Sequence, residues 1–317
     1  MTAMDEAARR EMRRKSGLEA MRRIAGHPPP WTWTRFLQSK WLISKRFFFL
    51  KQSPADVSAE IAAMQFVRQH TSIPVPRPWG SFRCGGHVYL VMQRVSGVAL
   101  SDSMWNSFTE EEKCNVVEQL RGFVEQLRSI PPRSGSVVGS VNGAQGCDYR
   151  LCGVPHGPYM NEQQMNHQLR MGLPLQEVPP KVIESHSRKH PLVFTHGDIA
   201  GRNIMMDGVR VVALIDWEGA GWFPAHWEYC KARYASGYLH NEDWMARIPK
   251  FIPPHVFEDE ADTELRAWQQ APDLPPMKLD GPHSPNETVE VYFDQAFDPT
   301  RRRLEDTSPL ISVVWPW

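Results

Sequence analysis

The chain has 317 residues, 41% hydrophobic and 23% charged, a composition that excludes wholesale disorder and leaves room for one large core or two lobes. Lys+Arg and Asp+Glu both number 36, so no net field steers the chain to nucleic acid or to a membrane surface. Five scattered cysteines with no CxxC pair give no sign of a disulfide framework or a thiolate zinc site and fit a reducing compartment.

The local balance is less even. Residues 1–51 hold twelve Lys/Arg against four Asp/Glu, and residues 242–306 hold fifteen Asp/Glu against seven Lys/Arg, which is either ordinary solvated charge or a basic region near polyphosphate and an acidic one near a cationic substrate. No run approaches the ~18 apolar residues of a membrane span, and MTAMDEAARREMRRKSG has no apolar secretory core, so a cytoplasmic protein is expected. Residues 5–24 are Arg-rich like a mitochondrial presequence, but Asp5, Glu6, Glu11 and Glu19 argue against one. Asn286-Glu287-Thr288 matches the glycosylation pattern, which means little without a signal peptide.

Residues 43–51, ISKRFFFLK, predict a buried strand closed by Lys51. Ser53-Pro54-Ala55-Asp56 predicts a helix start with Ser53 as N-cap, and the stripe Val57, Ile61, Met64 and Val67, with Glu60 beside it, carries that helix to about His70. Residues 81–84 and 87–93 flank Gly85-Gly86 as the arms of a hairpin. Thr109-x-x-Glu112 is a capping box opening a long helix, with Val116, Leu120, Phe123, Val124, Leu127 and Ile130 on one face. The stretch 131–147 reads as a Pro/Gly/Ser-rich connector whose glycines lack the Lys-Ser/Thr of a phosphate-cradling loop.

Residues 192–195 form a short strand leading into HGDIAGRN, and Asp207-Gly208 joins Ile204–Met206 to VRVVALI as a second hairpin. Its open end gathers Asp198, Asn203 and Asp216, two carboxylates and an amide of the kind that can hold Mg²⁺ against phosphates and orient a hydroxyl. Beyond residue 250 prolines multiply (Pro253, Pro254, Pro272, Pro275, Pro276), and an irregular tail is expected.

HGDIAGRN (196–203) followed by IDWE (215–218) resembles the catalytic-loop and metal-loop pair of the aminoglycoside phosphotransferase-like (choline kinase-like) small-molecule kinases. The likeness extends to TSIPVPRPWG, to GSVNGAQGCDYRL with GPYMNE, and to GWFPAHWEYCKA, features associated with the fungal branch of that family. The resemblance implies an α+β, bilobal protein-kinase-like fold: an N-terminal antiparallel sheet plus helix over 1–95, with 1–30 a flexible helical extension, and a mainly helical C-terminal lobe over 96–317. It further implies Asp198 as catalytic base, Asn203 and Asp216 as Mg²⁺ ligands, His196 as a structural support, Lys51 on the α/β-phosphates with Glu60 paired to it, and Gln93, Arg94 and Val95 as the connecting segment against the purine of ATP or GTP. The acceptor would be a small hydroxyl-bearing molecule, weakly suggested to be cationic by the acidic C-terminal region.

Arg202 is read as reaching either a phosphate or a nearby acid, Glu218 and Glu228 as structural rather than substrate-facing, and Trp217, Trp222 and Trp227 as packing. The chain departs from the family in having no glycine between residues 31 and 51, where a phosphate-covering turn is usual. That departure motivates the alternative of a catalytically weak or inactive nucleotide-binding or interaction module. The absence of HRD, DFG and APE signatures argues against a protein kinase.

Overall fold

A computed structural model describes residues 48–269, except 54–55, 85–86, 133–134, 136, 152–154 and 236–240. The expected N-terminal extension, residues 31–47 of the segment without glycine, the Gly85-Gly86 turn, the Asn286 site and the tail beyond 269 lie outside the described residues.

The first part is a three-stranded sheet, β1 (Phe48–Ser53), β2 (Pro78–Cys84) and β3 (His87–Gln93), in the order β1-β3-β2, with helix α1 (Ser58–His70) between β1 and β2 in sequence. β2 and β3 are antiparallel, Cys84 opposite His87, as the alternating arms required. Two expectations shift here. Lys51 lies within β1 rather than at its end, and the helix begins at Ser58 rather than at Ser53. The reason is that β1 keeps Ser53 extended, and the Asp56 carboxylate instead accepts from the Ser58 backbone N–H at 3.2 Å. α1 buries Ala59, Glu60, Ala63, Met64, Phe66 and Val67, so the apolar stripe faces inward and carries Glu60 in with it.

After β4 (Val98–Ala99) and the short α2 (Asp102–Ser107) comes α3 (Glu110–Ser129). The capping box is formed as expected: the Thr109 side chain accepts from the Glu112 N–H and the Glu112 side chain accepts from the Thr109 N–H. Such a cap contributes about 1 kcal/mol, and the helix then buries Val116, Val117, Leu120, Val124 and Leu127. These side chains join Met64, Val67, Leu90, Phe194, Ile204, Leu214, Trp217 and Trp244 in one core.

The stretch 131–147 is not simply a connector. It contains β5 (Gly139–Ser140) and opens β6 (Gly146–Cys147), which pairs with β7 (Pro155–His156). Helices α4 (Glu162–Leu169) and α5 (Pro180–Ser187) precede β8 (Leu192–Thr195). The hairpin β9 (Ile204–Asp207) and β10 (Arg210–Leu214) pairs Asp207 with Arg210, and Gly208 turns at φ 59°, a left-handed angle that suits glycine. β4 extends this hairpin as β10-β9-β4, while β11 (Gly221–Pro224) lies between β5 and β8.

Helices α6 (Trp227–Ala235), α7 (Glu242–Phe251) and α8 (Val256–Gln269) complete the described chain. α8 corrects the expectation of an irregular tail from 250. Its fourteen residues lie between Pro254 and Pro272 and bury Ala261 and Leu265 together with Glu258, Asp259 and Asp262. The acids are tolerated inside because cations meet them: Arg188 on Glu258 at 2.9 Å, Arg233 on Asp259 at 2.5 Å and Arg150 on Asp262 at 2.5 Å. The fold is therefore α+β, antiparallel sheet plus helix first and helices predominating afterwards. Among the described residues no helix is long and apolar enough to cross a membrane.

Candidate active site

Two charge clusters meet at the open end of the β9–β10 hairpin. In the first, Lys51 Nζ from β1 donates to Glu60 Oε1 and Oε2 at 3.1 and 3.0 Å, to Asp216 Oδ1 at 2.5 Å and to Glu218 Oε2 at 3.0 Å. One ammonium faces three carboxylates. Burial opposes the Lys51 charge, but Glu60, Asp216 and Glu218 outweigh it and hold the ammonium well above the ordinary lysine range. Burial pushes the Glu60 carboxyl up to about 7 even with Lys51 beside it, and burial together with Asp216 raises Glu218. Burial would also raise Asp216, yet the ammonium of Lys51 prevails and lowers it. Of the three acids, Asp216 is the one held below its ordinary range.

In the second cluster, Asn203 Nδ2 donates to Asp198 Oδ2 at 2.7 Å and to the Asp198 carbonyl at 2.9 Å, and Arg202 Nη2 donates to both Asp198 carboxylate oxygens at 2.7 and 2.6 Å. Of the two readings left open for Arg202, the structure shows the pairing with an acid.

The clusters are joined by His196 and by the hairpin itself. The Asp198 N–H donates to His196 Nδ1 at 3.1 Å, and His196 Nε2 lies 3.2 Å from the Ile215 carbonyl. The fully buried imidazole is pushed down to about 4, so it is neutral and, with Nδ1 accepting, carries its proton on Nε2. One ring ties the backbone of Asp198 to the residue before Asp216. The Ile215 N–H also donates to the Asn203 carbonyl at 3.0 Å, which sets Asn203 beside the start of the Asp216 turn. Asp216 stands at φ 68°, ψ 65°, a left-handed conformation that an aspartate tolerates better than most residues and that costs on the order of 1–3 kcal/mol.

Behind the loop, Glu228 of α6 accepts from the His196 N–H at 2.6 Å and the Gly197 N–H at 3.1 Å. Burial drives its carboxyl up to about 7. Gly197 sits at φ 81°, and a Cβ there would come within 2.5 Å of the Gly219 carbonyl oxygen. The loop of Asp198 and the turn of Asp216 are therefore packed backbone to backbone. Gln93 ends β3 with its N–H on the Arg77 carbonyl at 2.8 Å and its side-chain oxygen accepting from the Arg77 N–H at 3.2 Å, and Val95 follows, half-buried.

The structure thus brings Asp198 to Asn203 and Lys51 to Glu60, and it also sets Asp216 on Lys51, a contact the sequence did not lead us to expect. Glu218 as a third acid on Lys51 emerges only from the structure, which also identifies Asp198 as the acid met by Arg202 and the His196–Gly197 backbone as what Glu228 holds. A small pocket beside Glu218 is lined by Ser140, Asp148, His156 and Phe223. Asp148 Oδ1 takes Lys231 at 2.6 Å, while its buried Oδ2 has no hydrogen-bond partner.

A family model described as a phosphotransferase enzyme family matches residues 36–279. A search of the curated proteins by sequence returned no match. Among solved structures, the aminoglycoside phosphotransferase APH(3'')-Id from Streptomyces rimosus is similar at 14% identity over 69% of this chain and 85% of its own, with a TM-score of 0.42. The streptomycin–ATP ternary complex of APH(2")-IIa is similar at 12% identity, 70% and 77% coverage and a TM-score of 0.47. The macrolide 2'-phosphotransferase MphH from Brachybacterium faecium is similar at 14% identity, 70% and 76% coverage and a TM-score of 0.41.

Proposed function

The chain belongs to the phosphotransferase enzyme family, and on that premise we propose that it moves the γ-phosphoryl group of ATP, or of GTP, to a hydroxyl of a small molecule. A bond forms between the acceptor oxygen and phosphorus, the bond from phosphorus to the β-phosphate oxygen breaks, and the hydroxyl proton passes to the Asp198 carboxylate. The observation that carries this reading is the junction at His196, which couples Asp198 to the Ile215-Asp216 turn through one neutral ring. A base and an anion-handling centre held in fixed relation are what in-line transfer asks of a protein, since positioning and electrostatics supply most of the rate.

Lys51 contributes positive charge to the α/β-phosphates, and Glu60 holds it in place. Three carboxylates around one ammonium leave an excess of hard oxygen donors, which suits a divalent cation of the Mg²⁺ kind. Asn203 and Asp216 would hold it, and when bound it supplies positive charge against the phosphate oxygens. The two lobes of the proposal divide near residue 95, with the purine against the Gln93–Val95 backbone. Because the Gln93 N–H is used by Arg77, Gln93 offers a purine its carbonyl. For the acceptor, the buried Asp148 Oδ2 beside Glu218 favours a cationic group, an amine next to the reacting hydroxyl.

The test is Asp198→Ala assayed over a panel of hydroxyl acceptors with circular dichroism as the control for folding. Loss of at least ~10²-fold in kcat is expected of a missing base; a folded variant with wild-type turnover would overturn the assignment. A second reading, nucleotide binding without transfer, is favoured by one observation, the grip of Arg202 on both Asp198 oxygens.

A further inference from the structure

Away from this centre, three histidines and two glutamates converge where α4, the entry to β8, the start of α6 and the start of α8 meet. Glu162 opens α4, His190 lies two residues before β8, His226 directly precedes α6, His255 directly precedes α8 and Glu258 lies in its first turn. His190 Nδ1 is 2.7 Å from Glu162 Oε1, and His226 Nδ1 is 3.7 Å from the same oxygen. The three atoms offered by Glu162, His190 and His226 lie within 4.8 Å of one another.

An ordinary hydrogen bond accounts for the His190–Glu162 pair. It does not account for His226, which is 8% exposed and whose Nδ1 is buried without a hydrogen-bond partner while facing the same carboxylate oxygen. A buried nitrogen without a partner is unfavourable, and a cation taking lone pairs from both rings and from the carboxylate would satisfy it. Ligands at ~2.0–2.2 Å from a tetrahedral zinc stand roughly 3.3 Å apart, between the 2.7 and 3.7 Å observed here.

We infer that Glu162, His190 and His226 form a binding site for a zinc-class divalent transition metal, with a fourth position left for water. Two imidazoles and one carboxylate suit such an ion and disfavour Mg²⁺ or Ca²⁺, which take oxygen donors. The surroundings are those that orient metal ligands. His190 presents Nε2 to Glu258 Oε1 at 3.5 Å, Arg188 fixes Glu258 at 2.9 Å, and Glu162 Oε2 accepts from the His190 N–H at 2.9 Å. The cysteine pattern speaks only against thiolate sites, and none of these ligands is a thiol. The metal would tie α4 and the entry of β8 to α6, two residues before Glu228, and so brace the element that clamps Gly197.

The experiment uses the full chain, stripped with chelator and titrated calorimetrically with Zn²⁺, with Co²⁺ absorption as a report of tetrahedral geometry. One Zn²⁺ per chain is expected, with a thermal midpoint raised by loading. His226→Ala and Glu162→Gln should each weaken binding by at least ~100-fold, and Glu258→Gln by ~10–100-fold, the range for outer partners of a ligand. Arg210→Ala, on the exposed β9–β10 turn, should bind Zn²⁺ as wild type does. Should His226→Ala fail to fold, His226→Asn and Glu162→Gln carry the same test. A folded wild type that takes up no Zn²⁺, or folded His226 and Glu162 variants that bind like wild type, would overturn the site.

Discussion

Lys51 Nζ and Asp216 Oδ1 meet at 2.5 Å across 165 residues of sequence, and Glu60 and Glu218 share the same ammonium. Removing that ammonium leaves three carboxylates facing one another. Lys51→Met should therefore lower kcat/KM by about 10²-fold, the scale of losing one electrostatic contact to a transferring group. The stability loss should be larger at pH 8 than at pH 6, because at pH 6 the unpaired acids can take up protons and shed their repulsion. Urea unfolding of the variant at the two pH values checks the sign.

Gly197 predicts a loss that does not come from any side-chain chemistry. Alanine there must hold φ 81° and place a Cβ 2.5 Å from the Gly219 oxygen, a strain on the order of 1–3 kcal/mol. Gly197→Ala should lower the thermal midpoint by about 2–12 °C at ~2–4 °C per kcal/mol, and it should lower kcat by parting the Asp198 loop from the Asp216 turn.

Glu228 gives a pH dependence of defined sign. Its carboxyl is pushed from 4.5 to about 7 by burial, so between those values the folded chain holds a proton that the unfolded chain has released. Stability from this group is fully present below about pH 4.5 and is lost as pH rises through 7, roughly 3 kcal/mol in all. Glu228→Gln removes that loss. The wild type's advantage over the variant should shrink between pH 5 and pH 8 in urea unfolding, and an advantage that grows would contradict the buried, protonated carboxyl.

Asp148 bears on the acceptor. If its free Oδ2 meets an ammonium, Asp148→Asn should raise KM for amine-bearing alcohols by ~10–100-fold, the value of a charged hydrogen bond. Neutral alcohols should be spared. Some stability is lost as well, since Lys231 gives up a charged partner at 2.6 Å, so the diagnostic readout is the split in KM between the two acceptor classes.

What could be read in the sequence was whatever is local. The capping box at Thr109, the β2 and β3 arms and the Asp207-Gly208 hairpin each depend on residues a few positions apart, and all three formed. Asp198 and Asn203 were legible as neighbours from their place at the open end of the hairpin, and the pairing of Lys51 with Glu60 was implied by the family resemblance. The grip of Glu218 on Lys51 was hidden, because it depends on where β1 places Lys51 relative to a turn 165 residues away. α8 was hidden for another reason: the prolines beyond residue 250 read as an irregular tail, and the inward face of the helix includes Glu258, Asp259 and Asp262, which are tolerated there only through arginines from positions 188, 233 and 150. The cluster of Glu162, His190 and His226 is likewise drawn from three separated segments.

The most direct test of the account is nucleotide binding by calorimetry, with and without Mg²⁺, on wild type and Asp216→Ala. The wild type should bind ATP or GTP more tightly with Mg²⁺ than without it, and the variant should lose that metal dependence. Wild-type protein that binds neither nucleotide, or an Asp216→Ala variant with undiminished metal-dependent binding, would contradict the assignment of this site to phosphoryl transfer.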